Sequence, residues 1–436
     1  MSKIINIFSK KQPSALSLKR RVINALVYSI GGTAGVKALQ LLCGILISRI
    51  LGKEAYGQYS MINSTVSLFV IFAGAGVEAT LTRYVAAKKD KKETVGKIIG
   101  TLSVCITIFA VIISVIVFLS SSQISVFACG GDILAPFFKI TALTILFTVV
   151  ASAFRSTLIG FEEFQRVAKA EIVLMLVYFP IALLLAKTWG IYGSIISLLF
   201  LHLMRAGVFF WECIKECQRN GICSTIRVDK EIKNIIYTFT VPAFAASLFV
   251  VPVDWILNSM LIKSFGFAEL AVYSVAKQWK TMITYIPSQM NQLRPIYADL
   301  YSKGEHKKLN GLLKKATLGS VLIVLPFVIL CSIFGKNILS LYGDEYVSGY
   351  LPFLIIIVTM VPYSMQMQIG SYLQAAGEMW QGLGLNIVWA IVSIISARLL
   401  IGMGLIGFAI SYSLSYSLHC ILSYMLIFSM KPRVNR

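Results

Sequence analysis

Six polar residues recur at spacings of three and four along one stretch of the chain: Ser274, Lys277, Thr281, Thr284, Ser288 and Asn291, with Lys280 beside them. In a helix this spacing lines them on one face, while Ala271, Val275, Met282, Ile283, Ile286 and Met290 occupy the remainder. The surroundings are apolar enough for a membrane, where such a stripe must face other helices or water. A lysine at mid-membrane costs at least about 2.5 kcal/mol unless compensated, so Lys277 and Lys280 point to a wet, cationic cavity that receives an anionic group. Snorkelling to an interface is the competing account of both. Lys37, with Gln40, Gly44 and Ser48 on one face, joins them as a third point charge suited to phosphate. Asn63 and Ser67, with Ser60, Ser64 and Gly74, form another stripe, and Asp254 and Asn258 follow Ser247 on a fourth helix. Asp254 admits two roles, as a structural partner for a lysine or as the site of a coupling proton or Na⁺. Arg49 and Lys139 extend the cationic set but also suit interfacial snorkelling. Arg83 and Arg294, at span ends, suit a lipid head group or orientation alone. Glu78, close to a basic loop, reads as that loop's electrostatic partner.

No enzyme constellation accompanies these residues. His202, His306 and His419 are scattered, and the sequence contains no P-loop, metal motif or nucleophile elbow. Cys213, Cys217 and Cys223 share one loop without the spacing of a tetrahedral zinc pair, and Cys43, Cys105, Cys331 and Cys420 read as small buried hydrophobes. Cys129 stands alone in an outer loop, so neither disulfides nor a metal are expected, and the expected cofactor list is empty apart from a coupling H⁺ or Na⁺.

The elements that must position these groups follow from composition. Of 436 residues, 57% are hydrophobic and 14% charged, and the mean hydropathy is +0.79. A soluble chain carries about 25% charge, so a water-soluble fold is excluded. Runs long enough to cross a bilayer lie near 22–50, 57–79, 95–120, 133–156, 168–187, 191–211, 235–263, 268–292, 311–334, 350–374, 382–401 and 405–429. The chain is therefore expected to be an all-α integral membrane protein of about 12 transmembrane helices in two six-helix halves. A basic tail over 1–21, halves over 22–211 and 235–429, a linker over 212–234 and a tail over 430–436 complete it. The 40 Lys and Arg outnumber the 19 Asp and Glu, giving a net charge of +21. They cluster in the N-terminal tail, at 88–92, 155–169, 215–233, 303–315 and the C-terminal tail, on every second connection. The loop at 377–381, with Glu378 and no cation, is the exception. Both termini are expected to be cytoplasmic, with most of the positive charge an orientation signal needing no polyanionic partner. No cleavable signal pattern precedes the first span.

The second half superposes on the first at an offset near 214 residues. Leu51-Gly52 with Tyr59-Ser60 falls on Phe265-Gly266 with Tyr273-Ser274, and Gly190-Ile191-Tyr192-Gly193 falls on Gly404-Leu405-Ile406-Gly407. Gly131-Asp132 falls near Gly343-Asp344, and Ser156-Thr157-Leu158 before Glu162 falls on Ser371-Tyr372-Leu373 before Glu378. Parallel repeats of this kind place a substrate cleft between halves. Gln40 and Asp254 occupy matching positions.

Taken together, Leu51-Gly52, Tyr56-Gly57-Gln58-Tyr59-Ser60, Arg83-Tyr84-Val85-Ala86, Asp254, Tyr273-Ser274-Val275-Ala276 and Gly377-Glu378 resemble the polysaccharide flippase branch of the multidrug/oligosaccharidyl-lipid/polysaccharide exporter superfamily, which includes the Wzx-type O-antigen flippases. Phe267-Ala268-Glu269-Leu270 lacks a glycine often found there. The resemblance covers essentially the whole chain and implies the MATE-like fold of that superfamily. It further implies transfer of an undecaprenyl-diphosphate-linked oligosaccharide from the inner to the outer leaflet of a bacterial cytoplasmic membrane by alternating access. The implied partners are that lipid-linked glycan and polysaccharide-assembly proteins such as a polymerase and a chain-length regulator; nucleic acid is not among them. Two alternatives share the architecture or the pathway: an ion-coupled multidrug exporter, and a membrane glycan polymerase or ligase, for which the outer connections are short.

Overall fold

The computed structural model describes the backbone of residues 18–247 and 250–429, with side chains from residue 34 onward except at 75, 246, 247, 291, 292, 295, 302, 428 and 429. The tail at 430–436 and most of the tail at 1–21 lie outside the described residues, as do the side chains of Asn291 and Ser247.

Apolar segments in lipid must satisfy every backbone group internally, and among the described residues all regular structure is helical. Nine of these helices are long and apolar enough to cross a membrane. Two of the nine are pairs of spans joined at a sharp bend, at Gly52 (φ 76°, ψ 169°) and Gly190 (φ 56°, ψ −131°). The polar segment 267–302 supplies one more crossing despite its stripe. Spans 1 to 6 run over 18–51, 53–87, 92–119, 135–160, 164–189 and 191–219. Spans 7 to 12 run over 230–265, 267–302, 306–340, 350–375, 379–399 and 404–429. Spans 3 and 9 expose Ile108, Phe109, Ile112, Leu322, Ile329 and Ile333, apolar surface that only a lipid phase accommodates. Span 6 runs eight residues past its expected end at 211: Cys213 and Cys217, expected in a loop, pack on this helix into the first half's core, and Glu212 and Glu216 pair with Arg166.

Left-handed backbone marks matching places in the two halves. Gly52 and Gly266 (φ 76° and 85°), and Gly190 and Gly404 (φ 56° and 65°), are each 214 residues apart. At the basic end Glu162 (φ 66°) holds the place that Gly377 (φ 75°) holds in the second half. Both follow a helix whose last turn closes in the same way, with Glu163 N–H donating to Leu158 C=O and Glu378 N–H to Leu373 C=O.

The largest buried cluster joins both halves, through Tyr56, Met61, Tyr178, Trp255, Tyr273 and Tyr342. A second cluster, within the first half, includes Leu81, Ile98, Ile145 and Val149 and also takes in Ile222, Ile232 and Ile235 from the linker and the start of span 7. There Thr225 N–H donates to Gly96 C=O (3.2 Å), Thr101 hydroxyl to Arg227 C=O (3.1 Å), and the Thr80 and Thr240 hydroxyls share a hydrogen bond (2.8 Å). A π-helical turn at Ile236–Thr240 precedes Pro242, so span 7 starts against the first half before its later part, Val250–Phe265, reaches the second.

The halves are stitched together at the end opposite the basic loops. Ser48 hydroxyl donates to Tyr342 C=O (3.2 Å) and Arg49 to Ser340 C=O (3.2 Å). Lys53 N–H donates to Glu345 (2.7 Å) and its ammonium to Glu269 (3.2 Å), while Ala268 N–H donates to Glu54 (3.1 Å). Spans 2 and 8 touch so closely here that a Cβ on Gly57 would stand 1.9 Å from Phe267 C=O.

Candidate substrate cavity

Below this seam lies a cavity of about 590 Å³ between the halves, walled by spans 1, 2, 5, 6, 7 and 8. Its size falls in the range of about 300–1,000 Å³ usual for ligand sites. The polar stripes meet in it. Gln40 of span 1, Asn63 and Ser67 of span 2, Asp254 and Asn258 of span 7, and Ser274, Lys277 and Thr281 of span 8 all line it. Lys277 pairs with Asp254 at 3.4 Å and stands 5.2 Å from the Tyr273 ring. Asn258 donates to Ser64 hydroxyl (2.8 Å), while Oδ1 of Asp254 and Oδ1 of Asn258 are buried with no hydrogen-bond partner among the described residues. The roof is a chain of side chains: Trp279 N–H donates to Tyr342 hydroxyl (3.1 Å), which donates to Gln278 (3.1 Å), whose amide donates to Gln40 C=O (3.3 Å).

Other residues expected from the sequence stand elsewhere. Lys280 points away into the second half, its ammonium 4.4 Å from the Tyr363 ring centre, 5.0 Å from Tyr416 and 5.1 Å from Tyr412. Lys37 sits one turn from Gln40 on the basic-end side, outside the cavity lining, among the charges of Arg205, Glu171 and Arg155. Arg49 belongs to the seam, and Lys139 is exposed one turn into span 4. Arg83 lies over Phe239 (4.5 Å), and Arg294 has a buried Nε without a partner among the described residues. Thr284 and Ser288 turn their hydroxyls back to the carbonyls of Lys280 and Tyr285. The helix of span 8 is interrupted at Thr284, and neither residue lines the cavity. Glu78 accepts from Ser152 and also feels the charge of Arg155, at the start of the basic cluster.

Sequence reasoning missed one wall. Arg205 and His202 of span 6 line the cavity with Tyr56, Tyr59 and Tyr178. Arg205 donates through Nε and Nη2 to one oxygen of Glu171 (3.1 and 2.8 Å), whose other oxygen is 3.4 Å from Arg155. The available signal was an ionisable residue inside each of two apolar spans, which by itself marks a site. Among the described residues no group of His, Cys, Asp and Glu is placed to hold a metal ion.

Two halves of six spans around a polar cleft, sealed at one end, define a transporter of the MATE fold. The similarity to solved structures gives the same fold. An inward-facing multidrug resistance MATE family transporter of the MOP superfamily aligns with a TM-score of 0.74 at 16% identity, covering 90% of this chain and 93% of the other. A MOP superfamily transporter from Pyrococcus furiosus, described as having a binding pocket of reverse polarity, aligns at 0.71 and 16% identity over 96% and 98%. Residues 22–301 match the family described as Polysaccharide biosynthesis protein, and residues 242–399 match the MatE family. The chain belongs to the polysaccharide biosynthesis protein family, within the MOP exporter superfamily. Among individual relatives, the EPS I polysaccharide export inner membrane protein EpsE of Ralstonia nicotianae is 21% identical over 95% of each chain, and EpsE of Ralstonia solanacearum 20% over 95% of each.

Proposed function

We propose that this transporter is a flippase that carries an undecaprenyl-diphosphate-linked oligosaccharide, an O-antigen or other surface polysaccharide unit, from the inner to the outer leaflet of a bacterial cytoplasmic membrane. The observation that carries this reading is the cavity between the halves. Lys277 and Arg205 stand on separate walls among hydroxyl, amide and tyrosine groups, a lining that suits sugar and phosphate together. The polyprenyl tail stays in lipid against the apolar outer faces of the spans. The basic connections support cytoplasmic termini, and in this reading the sealed end faces outward and loading occurs from the inner side. Asp254, held by Lys277, is the place for a coupling H⁺ or Na⁺ in this reading, and a polymerase and a chain-length regulator are its downstream partners.

Deleting the gene and analysing lipid-linked glycans tests the function. Completed units trapped on the cytoplasmic leaflet, released by the wild-type gene, are the expected result; unchanged export defeats the reading. Lys277→Glu sets two carboxylates side by side and is expected to cut export about tenfold or more at unchanged protein level. The MatE match over 242–399 favours a second reading, an ion-coupled multidrug exporter. Resistance to cationic dyes on overexpression, with glycan export intact, selects it.

A further inference from the structure

The sealed end carries a second closure besides the hydrogen bonds of the seam. Spans 3 and 4 are joined there by a short helix, Ser121–Cys129, whose Phe127 stacks on Trp255 of span 7, with ring centres 5.7 Å apart and planes 5° from parallel. Ser259, one turn further along span 7, donates to Phe127 C=O (3.1 Å), and the Lys263 ammonium stands 5.1 Å from the Phe127 ring. The internal repeat pairs this contact with one in the seam, where Ser48 of span 1 donates to Tyr342 C=O (3.2 Å). At the offset of 214, Tyr342 falls on position 128, next to Phe127, and Ser48 falls on position 262, one helical turn from Ser259. Each half therefore reaches across with the connection after its third span and grips the first span of the other half.

The two grips differ in what lies beside them. On span 1 the cavity-lining neighbour of Ser48 is Ile47, which is apolar. On span 7, Trp255 and Ser259 each follow a residue that lines the cavity, Asp254 and Asn258, so one short stretch of helix holds the grip on one face and ligand groups on the next. Trp255 N–H donates to Thr65 hydroxyl (2.9 Å) and Asn258 to Ser64 hydroxyl (2.8 Å), which ties the same stretch to consecutive residues of span 2. The Asn258–Ser64 bond borders the cavity, and Oδ1 of Asn258 has no partner among the described residues. A carboxamide donates at one end and accepts at the other, so a vicinal diol can accept from Nδ2 and donate to Oδ1 together. Such a ligand satisfies a buried acceptor that Ser64 leaves unsatisfied, and so competes well for Asn258.

We propose that the helix Ser121–Cys129 is a latch on span 7 whose release is set by the cavity: a ligand bearing a vicinal diol draws Asn258 from Ser64, loosens span 7 from span 2 and lowers the cost of parting Trp255 and Ser259 from Phe127. An empty cavity keeps the latch shut, and a filled one frees it. That the diol belongs to a glycan rests on the flippase reading; the latch does not.

The test is the distance between nitroxide spin labels at Val126→Cys, on the latch, and Leu399→Cys, at the sealed end of span 11. Both positions are exposed, and the full chain used carries serine at its three cysteines that are not buried, Cys105, Cys129 and Cys223. The purified protein is measured in a dodecyl polyether detergent, whose headgroup has no diol, and in dodecyl maltoside, whose headgroup is the probe. Maltoside is expected to raise the ratio of long to short distances about tenfold; equal ratios in the two detergents overturn the proposal. Asn258→Ala is expected to abolish the difference between detergents, and a difference that persists overturns the role of Asn258. Phe127→Ala removes the ring that stacks on Trp255 and is expected to raise the ratio about tenfold in the polyether alone; no change overturns the latch. Should that variant fail to fold, Ser259→Ala, which loses one hydroxyl, decides in its place with an expected rise of about fivefold. No response to maltoside, with lipid-linked glycan still trapped in the deletion strain, defeats the latch and leaves the flippase standing. Normal glycan export in the deletion strain, with the latch responding, does the opposite.

Discussion

Lys277 and Lys280 lie three residues apart on one helix, yet their surroundings give them different tasks. Lys277 meets a carboxylate at the cavity wall, and Lys280 is enclosed by three tyrosine rings in the second half. A desolvated cation over aromatic faces gains about 2 kcal/mol, which suits Lys280 to a structural role. Lys280→Ala is expected to lower stability by about 2–4 kcal/mol, through the lost cation and the cavity left behind, while Lys280→Met recovers much of the packing. Thermal unfolding in detergent reads both. Lost transport with unchanged melting in both variants instead makes Lys280 a substrate contact. Much of the site was legible at this scale: Lys277, Asp254, Gln40, Asn63 and Thr281 converge on one cavity because periodicity fixes which residues share a face. Arg205 was not, because its meaning depends on Glu171, 34 residues away on a neighbouring span.

At the scale of elements, the route from the first half to the second is informative. The linker and the first part of span 7 are tied to spans 2 and 3, and Asp229 caps the helix by accepting from Ile232 N–H (3.0 Å). That amide, more than the Lys97 ammonium, holds the Asp229 carboxyl below its ordinary value. A lowered value in the folded state means stabilisation that is present above the unfolded value, about 3.9, and is lost as pH falls through the folded one. Asp229→Ala is therefore expected to melt below wild type at pH 7, with the deficit shrinking below about pH 4. A deficit independent of pH places the effect elsewhere. Gly57 is the second diagnostic position: a methyl there collides with the backbone of Phe267, an atom that cannot swing aside. Gly57→Ala is expected to part spans 2 and 8 and to open the seam, read as increased labelling of a cysteine placed at position 53.

For the whole molecule, the balance between sealed and open forms matters most. Beside the buried apolar cluster that joins the halves, the seam holds a few hydrogen bonds and ion pairs, several of them exposed, each worth about 0.5–1.5 kcal/mol. The sum of these polar contacts, a few kcal/mol, is of the size that ligand binding can overcome. Lys53→Cys with Glu345→Cys, in a chain whose exposed Cys223 is serine, joined by a reducible bifunctional thiol cross-linker, is expected to lock the seam and to stop export until a reductant is added. Export that continues with the cross-link formed removes seam opening from the transport cycle.

The amino-acid sequence by itself determined the membrane class, the spans and the paired glycine turns, because these depend on local hydropathy, on charge at span ends and on backbone sterics. Only the tertiary structure decided which of the buried cations face the cavity, which are enclosed by tyrosines and which tie the halves together. The cost of a charge in an apolar interior is set by the partners that packing brings within a few ångströms, and those partners lie tens to hundreds of residues away in the chain.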